Sequence, residues 1–68
     1  YSIDFQQALH SLPPRQAKAL KLFLEGYSHE EIALDFGITT GASKTLVYRA
    51  KMGIEKFYQN EITMNSSP

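Results

Sequence analysis

The stretch GITTGASKTLVYRAK, from Gly37 to Lys51, joins a run of small residues to side chains that can bind a polyanion. Lys44 and Arg49 supply positive charge, and Thr45 and Tyr48 supply hydroxyl groups. Arginine presents two parallel donors that match guanine in the major groove of DNA, and lysine and hydroxyl groups bind phosphate. The candidate nucleic-acid contacts are these four residues and the small ones before them: Thr39, Thr40, Gly41, Ala42, Lys44, Thr45, Tyr48 and Arg49.

The same sequence gives little indication of a catalytic site or a metal-binding site. The chain has no cysteine, which excludes disulfides and thiolate metal sites. His10 and His29 fall in different predicted helices, with no nucleophile constellation, phosphate-binding loop or metal-ligand spacing around them. Glu30 and Glu31 form a carboxylate pair, but helix capping accounts for Glu31. We therefore expect no enzyme, no metal, no cofactor and no small-molecule substrate.

Size and composition indicate one small helical domain. With 68 residues, 43% of them hydrophobic, the chain can build one apolar core. No apolar run approaches the roughly 20 residues of a membrane span, and no signal peptide is visible. We expect a cytoplasmic, nucleoid-associated domain with no membrane partner. The chain begins at Tyr1 rather than at methionine, which suggests a piece of a longer protein or a processed one.

The net charge is zero, but the charged residues are unevenly distributed. The middle of the chain is acidic, with Glu25, Glu30, Glu31 and Asp35, and the segments on either side are basic. This distribution is typical both of solvated helix faces and of a domain that turns a basic face to a polyanion. On the second interpretation, further phosphate contacts are expected from three basic residues: Arg15, Lys18 and Lys51.

Apolar residues recur at helical spacing and predict four helices without a sheet. The first is expected from about Ile3 to Ser11, and the prolines at 13 and 14 end it. Pro14 can open the second helix, because the first turn of a helix does not need its missing N–H. That helix is expected to run to about Glu25, and Gly26 is expected to cap it in a left-handed conformation.

The motif YSHEEI predicts a sharp start for the third helix. Ser28 precedes Glu31 by three residues, which is the spacing of a capping box, and Tyr27 and Ile32 occupy the positions of a hydrophobic staple. The helix is expected to run to Phe36. A glycine follows directly and is expected to break it.

The fourth helix is expected to be capped by Thr39 or Thr40 and to run to roughly Gln59. Residues 40–58 of this helix are the part expected to contact DNA. A step of 100° per residue places an inward stripe opposite an outward stripe of Thr45, Arg49, Met52 and Lys56. The inward stripe comprises Ser43, Val47, Ala50, Ile54, Phe57 and Tyr58. The Ser43 hydroxyl is expected to bond to a carbonyl one turn earlier. The domain is expected to span 1–62, with a frayed tail over 63–68.

The third and fourth helices together match the pattern of a helix-turn-helix. Ala33 precedes Gly37 by four residues, so a small residue lets the helices cross closely and a glycine makes the turn. In this motif the N-terminal half of the second helix enters the major groove. A purely structural hairpin is the alternative, but the combined features favour a DNA-reading motif.

Three motifs resemble region 4 of bacterial sigma factors, especially the extracytoplasmic-function group: LPPRQ, LEGYSHEEIALDFGI and GASKTLVYRAK. The resemblance covers about Phe5 to Phe57. It rests on Leu12, Pro13, Arg15, Gln16, Gly26, Ser28, Glu31, Ile32, Ala33, Gly37, Ile38, Gly41, Lys44, Arg49 and Ala50. It implies an all-α, compact four-helix domain of the sigma region 4 type, related to winged helices but without a sheet. Its last helix would read the promoter element near −35.

The resemblance also implies the partners. These are double-stranded promoter DNA, the flap of the RNA polymerase β subunit and an anti-sigma factor. Apolar residues expected to be exposed for protein contacts are Phe5, Leu9 and Leu22, with Leu46 as a further candidate.

Two alternatives remain open. The segment between LPPR and EGYS is slightly shorter than in most sigma factors and has the length found in LuxR-type regulators, but the chain lacks their threonine-valine-lysine run and closing K-L-G. The second alternative is a sigma-like interaction domain that does not read DNA. It is favoured by the zero net charge and by Leu46, which stands where the family frequently has a DNA-contacting arginine.

Overall fold

Four helices make up the part of the chain that the structure, a computed structural model, describes: residues 5–66, with side chains over 5–60. These residues contain no strand. The predicted all-α fold is therefore confirmed. The helices are α1 (Phe5–His10), α2 (Pro14–Leu24), α3 (His29–Phe36) and α4 (Thr40–Ser66).

The double proline separates α1 from α2, as the sequence predicts. Both the backbone N–H and the hydroxyl of Ser11 donate to the Ala8 carbonyl, at 3.1 and 2.6 Å, and close the end of α1. Pro14 then opens α2 in its first turn. α1 ends one residue before the expected Ser11, and its expected start at Ile3 lies outside the described residues.

α2 ends in a Schellman motif around Gly26. This glycine has φ of 103°, its N–H donates to the Phe23 carbonyl, and the N–H of Tyr27 donates to the Leu22 carbonyl, both at 3.1 Å. These two hydrogen bonds satisfy backbone carbonyls that have no N–H donor within the helix at its C-terminal end. The expected glycine cap is confirmed, and it lies two residues beyond the end of a helix that stops at Leu24 rather than at Glu25.

The capping box of α3 is confirmed. Glu31 N–H donates to Ser28 Oγ at 3.1 Å, and Ser28 N–H donates to Glu31 Oε1 at 2.9 Å. At the other end Gly37 adopts φ of 69°, and the N–H of Ile38 donates to the Ala33 carbonyl at 3.0 Å. Both ends of the first helix of the predicted helix-turn-helix are therefore fixed by local hydrogen bonds.

Thr39, rather than Thr40, caps α4. Its Oγ1 accepts from the Ala42 N–H at 3.1 Å, and its carbonyl accepts from the Ser43 N–H at 3.0 Å. The predicted end near Gln59 is wrong, because α4 continues to Ser66. No glycine or proline interrupts those additional residues, so the backbone can stay helical without the apolar pattern that the prediction required. The expected frayed tail thus overlaps the helix over 63–66, while 67–68 lie outside the described residues.

The core forms where α1, α2 and α3 meet the N-terminal half of α4. Its buried members are Leu9, Leu12, Ala19, Leu20, Ile32, Val47 and Ala50. Gly53 lets Leu12 reach α4, since a Cβ built on this glycine would collide with Leu12 Cδ2. The two faces predicted for α4 are confirmed, because its inward stripe is buried or half-buried and its outward stripe is exposed.

None of the helices in the described part of the chain is both long and apolar enough to span a lipid bilayer.

Candidate nucleic-acid interface

The start of α4 presents small residues and open backbone donors. Thr39 and Gly41 are exposed, and Thr40 and Ala42 are half-buried. The Thr39 cap satisfies the N–H of Ala42. The N–H groups of Thr40 and Gly41 belong to the first turn and have no acceptor within the helix. Such donors at a helix start are suited to a phosphate.

Gly41 has no structural reason within the chain to be glycine. An added Cβ would meet nothing nearer than Thr39 Oγ1, at 4.0 Å, and its φ is not in the left-handed region. Alanine would favour the helix by roughly 0.5–1 kcal/mol. A glycine that the fold does not need, at an exposed helix start, is what close approach of another molecule's backbone would require.

Four longer side chains project from the next two turns of α4. Lys44, Thr45, Tyr48 and Arg49 are all exposed, and Tyr48 is exposed to 63%. Their spacing places them on one side of the helix. Thr45 differs from the prediction in one respect, because its hydroxyl donates to the Gly41 carbonyl at 3.1 Å. It can therefore accept a hydrogen bond from a ligand, but its proton is already used.

Arg15 of α2 joins this surface. It lines an open depression, hereafter the arginine depression, together with Ile38, Ala42, Thr45, Leu46 and Arg49. The Arg15 guanidinium carbon lies 5.7 Å from the centroid of the Phe36 ring, so a cation–π contact orients it. Two arginines from different helices thus border one depression, which links the predicted phosphate contact Arg15 to the predicted base contact Arg49.

The other two predicted phosphate contacts lie elsewhere. Lys18 Nζ is 3.3 Å from Asp35 Oδ2, in an exposed ion pair, and 5.3 Å from the centroid of the Phe36 ring. Lys51 Nζ is 4.8 Å from the centroid of the Phe23 ring. Neither lysine lines the arginine depression. Their phosphate contacts stay predictions, and Lys18 is the weaker candidate because a carboxylate already shares its charge.

Ser43 meets a partner that the sequence reading missed. It is 0% exposed, and its Oγ lies 3.4 Å from His29 Nδ1 on α3, whereas the predicted bond within α4 is not formed. The His29 ring also stacks on Phe23 of α2, with centroids 4.9 Å apart and an interplanar angle of 17°. His29 therefore ties three helices together at the start of the helix-turn-helix. The sequence signal for this contact was that both Ser43 and His29 are polar residues at core-facing helix positions. Because they lie 14 residues apart, the sequence alone did not show that they pair.

The predicted protein-contact residues are less exposed than expected. Leu9 is 4% exposed, so its predicted surface position is wrong, because α1 packs this residue into the core. Leu22 and Leu46 are half-buried against the core, and Phe5 is 37% exposed. Among the side chains described, over 5–60, the most exposed large apolar residue is Leu34, at 83%, which sequence reasoning did not single out.

A family model matches the chain over most of its length. Its description is Sigma-70, region 4, and it matches residues 2–52, which include α1, α2, α3 and every candidate contact from Thr39 to Arg49. No curated protein and no solved structure is significantly similar to the chain. The match supports the sigma interpretation over the LuxR-type alternative. Within the described residues, no group of three His, Asp or Glu side chains is arranged to hold a metal ion.

Proposed function

The chain belongs to the Sigma-70, region 4 family, and from that premise we propose that it reads the promoter element near −35 for an extracytoplasmic-function sigma factor. Domains of this family bind promoter DNA and interact with RNA polymerase in transcription initiation, and the family is not a catalytic one. We infer the residues that read the DNA from the geometry of α4.

One observation carries the proposal. The N-terminal half of α4 presents Lys44, Tyr48 and Arg49 to solvent beside Arg15 of α2, and no acidic residue occurs between 40 and 50. An α-helix fits the major groove, and this half of the second helix of a helix-turn-helix is the part that enters it. Positive charge and hydrogen-bond donors are thus concentrated where base edges and phosphates would lie.

The residues divide into two roles. Arg49 reads a guanine through two parallel hydrogen bonds, a contact worth about 1–3 kcal/mol of discrimination. Lys44 and Arg15 bind phosphates, as do the open N–H groups of Thr40 and Gly41. The phosphate contacts fix the position of α4 in the groove, and Arg49 supplies base preference from that position.

Binding by the isolated chain is expected to be weak. Affinity for DNA comes largely from neutralising phosphates, and this chain has a net charge of zero. A sigma factor holds region 4 near the promoter through its other contacts, so a high effective concentration can compensate for a weak module. Tight binding of a promoter duplex by the chain alone at physiological salt would instead indicate a self-sufficient regulator.

The experiment is a selection of duplexes from a randomised library at low salt, followed by anisotropy measurements on the enriched sequence. Replacing Lys44 and Arg49 together by alanine is expected to abolish selection, because the change removes a phosphate contact and the base contact. The matched control replaces Lys21 and Lys56, two exposed lysines outside the depression, and removes the same charge. That control should bind the same sequence with moderately lower affinity.

Two outcomes would count against the DNA-reading role. Equal loss in both double variants would mean that net charge alone drives binding. Failure of the unmodified chain to enrich any sequence would favour the sigma-like interaction domain that does not read DNA. Retained binding of the Lys44 and Arg49 variant to the β-subunit flap would show that the variant is folded.

RNA polymerase is proposed to dock away from α4, on the groove between α1 and α2. Half-buried Leu22 lies in its apolar floor, with Lys21 and Glu25 at the sides. Phe5 lies at the start of α1 and is partly exposed. An anti-sigma factor that covered this groove would block polymerase without touching the arginine depression.

A further inference from the structure

The arginine depression has an apolar floor. Its α4 residues, Ala42, Thr45, Leu46 and Arg49, follow the i, i+3, i+4, i+7 spacing of a single helix stripe. Ala42 and Leu46 are half-buried, as is Ile38 from the turn before the helix. Charged groups border this floor but do not form it.

Leu46 is held in place from behind. It packs against the buried core cluster while it also lines the depression. A side chain supported by the core on one side presents a fixed surface on the other. The thymine 5-methyl group is the apolar group that base edges display in the major groove. On the proposed function, α4 brings this floor to those edges.

We infer that Leu46 and Ala42 form a site for the 5-methyl group of a thymine, next to the base that Arg49 reads. The inference rests on the proposed function, because it requires α4 to lie in the major groove. Thr45 supports it, since its hydroxyl already donates to the Gly41 carbonyl and offers no donor to a base. A purine N7 or an exocyclic oxygen against this floor would lose its hydrogen bond to water without gaining another.

Position 46 thus becomes a specificity residue. At this position the resemblance places arginine in many family members, and arginine would bind phosphate or guanine. Leucine contributes only where a methyl group is presented, so the preferred sequence should contain a thymine that arginine-bearing relatives do not require.

The test replaces thymine by uracil, one position at a time, in the duplex that the chain selects. Uracil keeps the hydrogen-bonding edge of thymine and removes only the methyl group. At one position, adjacent to the guanine that Arg49 contacts, uracil is expected to weaken binding about fourfold, the value of one buried methylene-sized group. At other thymines the dissociation constant should not change.

The protein side of the test uses Leu46→Ala, with Leu22→Ala as the matched control. Both leucines are half-buried against the core, but Leu22 does not line the arginine depression. The uracil penalty should vanish in Leu46→Ala and persist in Leu22→Ala. Because the penalty is a ratio of two affinities of one protein, partial unfolding of either variant cancels.

The outcomes separate the inference from the proposed function. A selected duplex with no uracil-sensitive thymine would overturn the methyl site and leave the DNA-reading role intact. A sensitive thymine whose penalty survives in Leu46→Ala would also overturn it. If no duplex is selected at all, the proposed function fails and this inference fails with it.

Discussion

The contact between His29 and Ser43 predicts that alanine at position 29 destabilises the domain much more than alanine at position 43. Replacing His29 by alanine removes the ring that stacks on Phe23 and leaves a fully buried hydroxyl without its partner. Loss of the ring contact is worth about 0.5–1.5 kcal/mol, and a stranded buried hydroxyl costs about 1–3 kcal/mol. Ser43 can recover part of this by donating to a carbonyl one turn earlier. We therefore expect His29→Ala to lower the free energy of unfolding by about 1–4 kcal/mol.

Replacing Ser43 by alanine should cost much less. The change loses one hydrogen bond, worth about 0.5–1.5 kcal/mol net, but His29 is only half-buried and its nitrogen can turn to water. Alanine also favours the interior of α4 by about 0.5 kcal/mol over serine. The expected loss is therefore between about 0 and 1 kcal/mol. In His29→Ala, the additional change Ser43→Ala should restore the part of the stability lost to the stranded hydroxyl, but not the part lost with the ring contact to Phe23.

Urea unfolding followed by circular dichroism measures all four proteins of this cycle. A domain of this size has on the order of 3–10 kcal/mol of stability in total, so the His29→Ala effect is readily detected. The reasoning would be refuted if Ser43→Ala cost more than His29→Ala, or if the two changes were additive. Additivity would mean that the 3.4 Å contact contributes no coupling between α3 and α4.

Three glycines give further predictions, all checked by thermal unfolding. Gly53→Leu is expected to destabilise the domain by about 1–3 kcal/mol, because the new side chain must displace Leu12 from α4. The control is Gly41→Ala, which should be neutral or stabilising because the space at its Cβ is open. Gly37→Ala is expected to cost about 1–2 kcal/mol, since its φ of 69° strains any residue with a Cβ even though the space around it is empty. An unchanged melting temperature in Gly53→Leu would show that Leu12 does not depend on that close contact.

Local signals in the sequence predicted the helix-turn-helix well. The capping box at Ser28 and the glycine at 37 are properties of a few adjacent residues, and hydrogen bonds within that range fix the helix ends. The inward and outward faces of α4 followed from helical periodicity alone. These features need no knowledge of what the helices pack against.

Features that depend on packing between helices were not predictable in the same way. Leu9 was expected at the surface because α1 alone does not reveal that its apolar side turns to the core. The partner of Ser43 lies on another helix, and Arg15 joins Arg49 only because α2 packs against α4. The end of α4 was placed too early because apolar periodicity stops before the backbone stops being helical.

The zero net charge and Leu46 have a common interpretation under the proposed function. A basic residue at position 46 would strengthen binding to any DNA, since attraction to phosphates does not depend on sequence. Leucine has no such attraction to phosphates and contributes only where it contacts a thymine methyl group. Compared with a basic residue, leucine therefore lowers the total affinity for DNA but raises the ratio of specific to non-specific binding. The polymerase can supply the lost affinity by tethering the domain near the promoter, but it cannot supply base discrimination at this position. A neutral reading domain is therefore consistent with a role inside a larger assembly, where its contribution is the choice of site.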